Sequence, residues 1–299
     1  MPTLDGRVAI VTGAGRGIGR STALLLAAEG ASVVVNDLGA NVDGSGADAS
    51  PAQRVVEEIT AAGGQAIANG ADVSDHGAAE ELVKSAISEF GKLDVLVNVA
   101  GILRDRMIFN MTEQEWDDVI RVHLKGTFNT SKFAASHWRS LREEGAQNRI
   151  INFTSMSGLH GAPGQPNYAA AKMGIVGLTW SCANALAKYG VTCNAVSPAA
   201  STRMTESVPK DRRGPAHPSR EDERQSPDNV AKVVAYLASE RSGWLNGRIV
   251  HSSGFEVSLY NNALPVVRLL SEQPWQLDEL AAQVEKSFRP GPPIPGRIV

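Results

Sequence analysis

Seven short apolar runs recur along the chain: RVAIVT (7–12), SVVVN (32–36), QAIANG (65–70), LDVLVNV (93–99), RIINFTS (149–155), VTCNAVS (191–197) and GRIVHS (247–252). They are continuous rather than alternating, the pattern of strands covered on both faces. Between them the apolar positions take helical spacing. In GAAEELVKSAISEF, Leu82, Val83, Ala86, Ile87 and Phe90 form one stripe, and Gly91 follows as a stop. Strand and helix in alternation predict an α/β fold, a doubly wound parallel sheet of seven strands with helices on both faces. One domain over residues 1–256 accounts for the rhythm. Residues 257–299 read as a C-terminal extension, not an independent domain.

Three stretches leave the rhythm. Residues 38–53 are rich in Gly, Asp and Ser and read as an extended loop after the second strand. Residues 205–228 are polar and broken by prolines, an excursion outside the core. The tail carries one helical segment, WQLDELAAQVEKSF, before an extended end.

Composition narrows the classes of function. A net charge of −3 and a pI near 6.1 speak against a nucleic-acid partner, whose binding surface is normally basic. Cys182 and Cys193 are the only cysteines, too few for a disulfide framework and without metal-ligand spacing. The six histidines are scattered, so no metal is expected. No apolar run approaches the ~18–20 residues of a membrane span. The N-terminal residues run directly into a strand without a signal layout. A cytoplasmic protein with no membrane partner is the expectation.

The first strand leads into TGAGRGIG, which places Gly13, Arg16, Gly17, Ile18 and Gly19 ahead of an apolar helix. Glycines there permit a tight turn and let backbone approach a pyrophosphate at a helix N-terminus, as in a Rossmann-type dinucleotide site. The second strand ends in Asp37, 18 residues beyond Gly19. A carboxylate at that distance accepts hydrogen bonds from ribose hydroxyls and repels a 2′-phosphate, which favours NAD over NADP. Arg16 pulls the other way, since a guanidinium can meet a 2′-phosphate. Of the two, Asp37 carries more weight.

In QPNYAAAKMG, Tyr168 and Lys172 lie four residues apart on a predicted helix, one turn from each other on one face. Taken alone, such a pair is usually a solvated helix face. Together with TGAGRGIG, NVAG at 98–101 and Ser155, 13 residues before the tyrosine, it resembles the short-chain dehydrogenase/reductase family over residues 5 to about 255. The resemblance implies hydride transfer between a secondary alcohol and a nicotinamide. Tyr168 is then the acid–base group, its pKa drawn down by Lys172 and the nicotinamide charge. Lys172 also binds the nicotinamide ribose, and Ser155 holds the substrate oxygen, although Thr154 and Ser157 stand beside it. The same resemblance assigns Asp72 and Val73 to adenine, Asn98, Ala100, Gly101 and Pro198, whose usual following Gly is Ala199 here, to the cofactor cleft, and Thr202 to the nicotinamide amide. Val99 replaces the family's second Asn and reads as sheet packing. His123 stands where many members carry an Asn that supports the lysine, and is taken as a supporting residue.

Further stretches, VVVNDLG, GILRDR, VHLKGTF, GQPNYAAAKMGIVGL and STRMT, resemble the (3R)-hydroxyacyl-CoA dehydrogenase domain of the peroxisomal multifunctional β-oxidation enzyme and its bacterial single-domain relatives. That implies an NAD-dependent oxidoreductase acting on a 3-hydroxyacyl-CoA or hydroxysteroid substrate. The alternative is an NADP-linked carbonyl reductase acting on a ketone, sugar or acyl-carrier thioester. Lys210, Arg212, Arg213 and Arg220 are candidate contacts for CoA, but Asp211, Glu221, Asp222 and Glu223 lie among them, and a charge-balanced flap reads equally well. By resemblance, the long helices near 113–144 and 166–189 form a homotetramer interface, with Trp116, Phe128 and Trp180 as possible contributors; a dimer is the second reading.

Overall fold

The computed structural model describes residues 3–200 and 222–289. Thr202 and the cations Lys210, Arg212, Arg213 and Arg220 fall outside the described residues. The strands are β1 (Val8–Thr12), β2 (Ser32–Asn36), β3 (Gln65–Asn69), β4 (Val95–Asn98), β5 (Asn148–Phe153), β6 (Val191–Ala199), β7 (Ile249–Ser253) and β8 (Glu256–Tyr260). They form one sheet in the order β3-β2-β1-β4-β5-β6-β7-β8. Each adjacent pair is parallel except β7–β8. The expected seven strands are therefore eight. The last, EVSLY, alternates and lies at the sheet edge with much of its surface exposed, so it lacks the continuous apolar pattern of the others.

Successive strand residues face opposite layers. Val11, Val33, Val35 and Val97 pack with Leu26, Ile59 and Val234 on one side. Ile10, Val34, Leu96 and Ile150 pack with Leu82, Trp138 and Cys193 on the other. The helices of the first layer are α1 (Gly17–Ala28), α2 (Ser50–Ala61) and, near the end of the fold, the helix over Pro227–Ala238. The second layer holds α3 (His76–Phe90), α4 (Glu113–Val119), α5 (Gly126–Leu141) and, beyond the short α6 (Met156–His160), α7 (Pro166–Leu186). The Pro227–Ala238 helix is α8 in this numbering.

Local chemistry sets the helix ends. Asp75 caps α3 by accepting from the Ala78 amide at 2.7 Å. Thr112 and Glu115 form a reciprocal capping box at α4. The loop expected over 38–53 is shorter, because α2 begins at Ser50 with Pro51 in its first turn, where a fixed φ suits a helix. The long helix expected near 113–144 is interrupted by a π-helical turn over Ile120–Lys125, and Arg142 ends it in a left-handed conformation. That turn carries His123.

The compact unit built on the sheet runs to Tyr260, past the expected boundary at 256, because β8 pairs with β7. A second unit begins at Asn261 and contains α9 (Leu277–Phe288), an amphipathic helix. Among the described residues, no helix is long and apolar enough to cross a membrane. No group of three or more His, Cys, Asp or Glu side chains that could hold a metal occurs among them either.

Candidate active site

Strand order reverses at β1, which has β2 on one side and β4 on the other. The chain leaves β1 and β4 in opposite directions, and a cleft opens at their C-terminal ends. Its lining includes Gly13, Arg16, Gly17, Ile18 and Gly19 from the β1–α1 turn, together with Asp37, Asp72, Val73, Ala100 and Gly101. All ten were expected from the sequence. Gly19 shows why the turn needs glycine: a Cβ there would stand 2.1 Å from the Gly13 carbonyl oxygen. This packing lets α1 start at Gly17 on the cleft wall, the position at which a helix N-terminus suits an anionic group.

Asp37 is held at the cleft edge by two backbone amides, accepting from Gly15 at 2.7 Å and Gly39 at 2.6 Å. Asp72 is bonded to the Ser74 amide at 2.8 Å and paired with Arg121 at 3.4 Å. Val99, expected only to pack the sheet, also lines the cleft. So do Asn41, Val42 and Gly44 of the loop after β2, whose Val42 carbonyl accepts from the Leu103 amide at 2.9 Å. Sequence reasoning missed this loop's part because it depends on a contact between distant segments.

Asn98 differs from its expected role in the cleft. Its Oδ1 accepts from Thr130 at 2.7 Å, and its Nδ2 donates to Asn152 at 2.9 Å. The side chain is buried in a polar row rather than turned to the cleft. Pro198 lies near the end of β6, paired in register with Ser252 of β7.

The candidate reacting groups gather beside the cleft. β5 delivers Thr154 and Ser155, and α7 delivers Tyr168 and Lys172. The structure separates the three hydroxyls that the sequence left side by side. Thr154 turns inward and donates to the Lys172 carbonyl at 2.9 Å. Ser157 donates to Gln165 Oε1 at 2.8 Å. Ser155 is the one whose side chain acts on the Tyr168 phenol, favouring its ionised form, and its Oγ accepts from the Ser157 amide at 3.1 Å. Asn167, which sequence reasoning passed over, is buried and fixes the first turn of α7. It donates to the Arg104 and Glu115 carbonyls at 3.0 and 2.9 Å and accepts from the Tyr168 amide at 2.7 Å.

Lys172 is buried, and its Nζ donates to the Phe153 carbonyl at 2.9 Å. Burial pulls its pKa down to about 7. The Tyr168 phenol is pushed up to about 12, chiefly by desolvation and further by the charge of Asp105, against the opposing bond from Ser155. The expected lowering by Lys172 together with the nicotinamide charge concerns the cofactor-bound site, whereas in the chain alone burial outweighs it. In the protein alone, the ammonium is engaged with a backbone carbonyl and is itself partly neutralised by burial.

His123 closes the back of the cluster. Its ring meets Tyr168 edge-on, with centroids 5.1 Å apart, and its Nε2 lies 3.0 Å from the Ile102 amide and 2.8 Å from the Ile102 carbonyl. Burial, then the charge of Lys172, hold it well below the ordinary imidazole range, which disfavours its protonated form. It supports the wall behind Tyr168, and its Nδ1 is buried without a hydrogen-bond partner among the described residues.

Residues 7–213 match the short chain dehydrogenase family. The chain is 42% identical over 298 residues to a hydroxyacyl-CoA dehydrogenase, ChsB1, of Mycobacterium tuberculosis, covering 95% of this chain and 89% of that protein. It is 43% identical over 249 residues to the peroxisomal hydratase-dehydrogenase-epimerase of Saccharomyces cerevisiae, covering 83% of this chain but only 26% of that longer protein. A 3-oxoacyl-[acyl-carrier-protein] reductase, FabG, of Staphylococcus aureus is 42% identical over 248 residues, covering 82% of this chain and 96% of its own. The crystal structure of a short chain dehydrogenase from Mycobacterium avium superposes with a TM-score of 0.88 at 44% identity, each chain fully covered. A glycine cradle at the β1–β4 crevice, a Ser–Tyr–Lys cluster beside it and these matches lead to one conclusion: the chain belongs to the short chain dehydrogenase family and is an oxidoreductase acting on CH–OH groups with a nicotinamide dinucleotide.

Proposed function

We propose that the protein is an NAD-dependent dehydrogenase of 3-hydroxyacyl-CoA thioesters. The observation that carries this reading is the Ser155–Tyr168–Lys172 cluster beside a cleft whose edge holds Asp37 between two backbone amides. A carboxylate so fixed favours ribose hydroxyls over a 2′-phosphate. The likeness to a hydroxyacyl-CoA dehydrogenase across most of both chains supports the choice of substrate.

A nicotinamide dinucleotide, when bound, accepts hydride in the oxidative direction and returns it in the reductive one. The chain's own residues handle the proton. Ser155 holds the substrate oxygen by a hydrogen bond, and Tyr168 takes the hydroxyl proton as a general base or returns it as a general acid. A phenol at about 12 ionises at pH 7 only at a cost of about 7 kcal/mol. Positive charge near the phenol, from Lys172 in its protonated form among others, offsets that cost. Lys172 also holds the ribose hydroxyls through Nζ, and His123 keeps the space behind the pair closed to water. Trp116 and Phe128, both partly exposed on α4 and α5, support self-association into the homotetramer implied by the family.

Arg16 in the glycine turn and the likeness to the acyl-carrier-protein reductase favour the second reading, an NADP-linked carbonyl reductase. Formation or loss of reduced nicotinamide, followed by absorbance with (R)- and (S)-3-hydroxyacyl-CoA and each cofactor, separates the two. Turnover of one enantiomer with NAD and little with NADP is expected, and Tyr168→Phe abolishes it while NAD still binds. Preference for NADP, or no turnover of either thioester, overturns the proposal.

A further inference from the structure

The segment joining β4 to α4 carries a carboxylate, Asp105, that takes no part in the proton transfer. Its Oδ2 accepts from Gln165 Nε2 at 2.9 Å. Gln165 in turn accepts from Ser157 Oγ at 2.8 Å, and the Ser157 amide donates to Ser155 Oγ at 3.1 Å. A connected row of polar groups thus leads from Asp105 to Ser155, the serine that acts on the Tyr168 phenol. The charge of Asp105 reaches the reacting centre, where it opposes ionisation of the phenol.

Asp105 lies between two arginines in sequence, yet neither neutralises it. Arg104 is paired with Asp118 at 3.3 Å and Arg106 with Glu115 at 3.0 Å. Among the described residues, no lysine, arginine or histidine forms an ion pair with Asp105, and its one described side-chain partner is a neutral amide. Nearby atoms raise its pKa, while the residue itself stays exposed to solvent. A carboxylate without an ion-pair partner among the described residues, acting on the tyrosine of the cluster, is a repulsive element against anions.

We propose that Asp105 is a specificity-determining residue that excludes substrates bearing a negative charge close to the reacting carbinol carbon, so that neutral hydroxyacyl thioesters are accepted and free hydroxy acids are refused. The inference rests on the reading of the substrate as a hydroxyacyl thioester. In a 3-hydroxy acid the carboxylate is two carbons from the carbinol. With Ser155 and Tyr168 holding the hydroxyl oxygen, that charge would lie close to the end of the polar row that leads back to Asp105. Conversion to a thioester removes it and leaves a neutral carbonyl, while the phosphates of CoA lie at the far end of a long arm.

The test compares the full-length wild type with Asp105→Asn and Asp105→Glu on three substrates at pH 8 with NAD: 3-hydroxybutyryl-CoA, methyl 3-hydroxybutyrate and free 3-hydroxybutyrate. Asp105→Asn keeps the shape and an acceptor for Gln165 but removes the charge. It is expected to raise kcat/KM for the free acid by about tenfold or more, with changes under about threefold for the ester and the thioester. Asp105→Glu, which retains the charge, is expected to go on refusing the acid. Equal changes on charged and neutral substrates, or continued refusal of the free acid by Asp105→Asn, overturn the proposal. Silence of the wild type on the thioester alone overturns the substrate reading, and the ester-to-acid ratio still decides the role of Asp105.

Discussion

Replacing Lys172 by Met, of similar length but without charge, tests the electrostatic state of the cluster before any cofactor binds. The lysine is 4% exposed and its pKa falls from 10.5 to about 7 through burial. Between those values the unfolded chain binds a proton that the native state has released. The slope of unfolding free energy with pH follows protons bound in the unfolded state minus those in the native state, so stability rises with pH by about 1.4 kcal/mol per unit. Below about pH 7 both states are protonated and the contribution levels off, leaving the native protein about 5 kcal/mol less stable than if the lysine were unperturbed. Urea unfolding of the cofactor-free protein at pH 7.5 and 9.5 measures the effect. The wild type should gain about 2–3 kcal/mol more than Lys172→Met over that interval. Tyr168, raised to about 12, contributes with the opposite sign and only above about pH 10, so it does not enter the comparison. Parallel pH dependences of the two proteins would refute the argument, because the native lysine would then keep its proton throughout.

Two other substitutions probe the cleft. Asp37→Ser removes the carboxylate that Gly15 and Gly39 hold in place, and the ratio of kcat/KM with NADP to that with NAD should rise at least about tenfold. An unchanged ratio in steady-state assays would show that Asp37 does not govern cofactor choice. Gly101→Ala sets a Cβ 2.1 Å from His123 Cε1, so overpacking of about 1–3 kcal/mol and loss of the His123–Ile102 bond should lower stability. Adding His123→Ala should recover part of that loss in a double-mutant cycle monitored by urea unfolding, and strict additivity would contradict the contact.

Much of the candidate site's placement was readable along the chain because it is local. Tyr168 and Lys172 share a helix face by spacing alone, and the glycine turn directly follows a buried strand. The central strands were legible because both their faces are covered. What escaped depends on partners far apart in sequence. β8 alternates and lies at the sheet edge, so a search for continuous apolar runs passes over it. The π-helical turn bearing His123 has no spacing signature distinct from an ordinary helix. The bonds from Gln165 to Asp105 and Ser157 bring together three segments whose alignment only the folded chain establishes. Asn98 illustrates the limit most clearly, since its motif suggests the cleft whereas its side chain is satisfied within the protein.

Strand register gives that asparagine a place in a larger device. Asn69, Asn36, Thr12, Asn98 and Asn152 are successive partners across β3, β2, β1, β4 and β5, one polar row at the C-terminal ends of five parallel strands. The same row borders the α3–α5–α7 layer, where an unpaired buried amide would cost on the order of 1–3 kcal/mol. The row largely satisfies itself. Asn36 donates to Asn69 Oδ1 and the Ala71 carbonyl at 3.0 Å each, and Asn152 accepts from Asn98 while donating to Thr179 at 2.9 Å. Thr12 stands at the strand-order reversal, and its Oγ1 accepts from the amides of Val99 at 3.1 Å and Ala100 at 3.2 Å. Two amides that would otherwise lack strand partners are thereby fixed where β4 turns away, and Ala100 and Gly101 are held at the cleft wall. Polar residues inside an otherwise apolar sheet are therefore not a concession in packing: they set the strand exits from which the cofactor cleft is built.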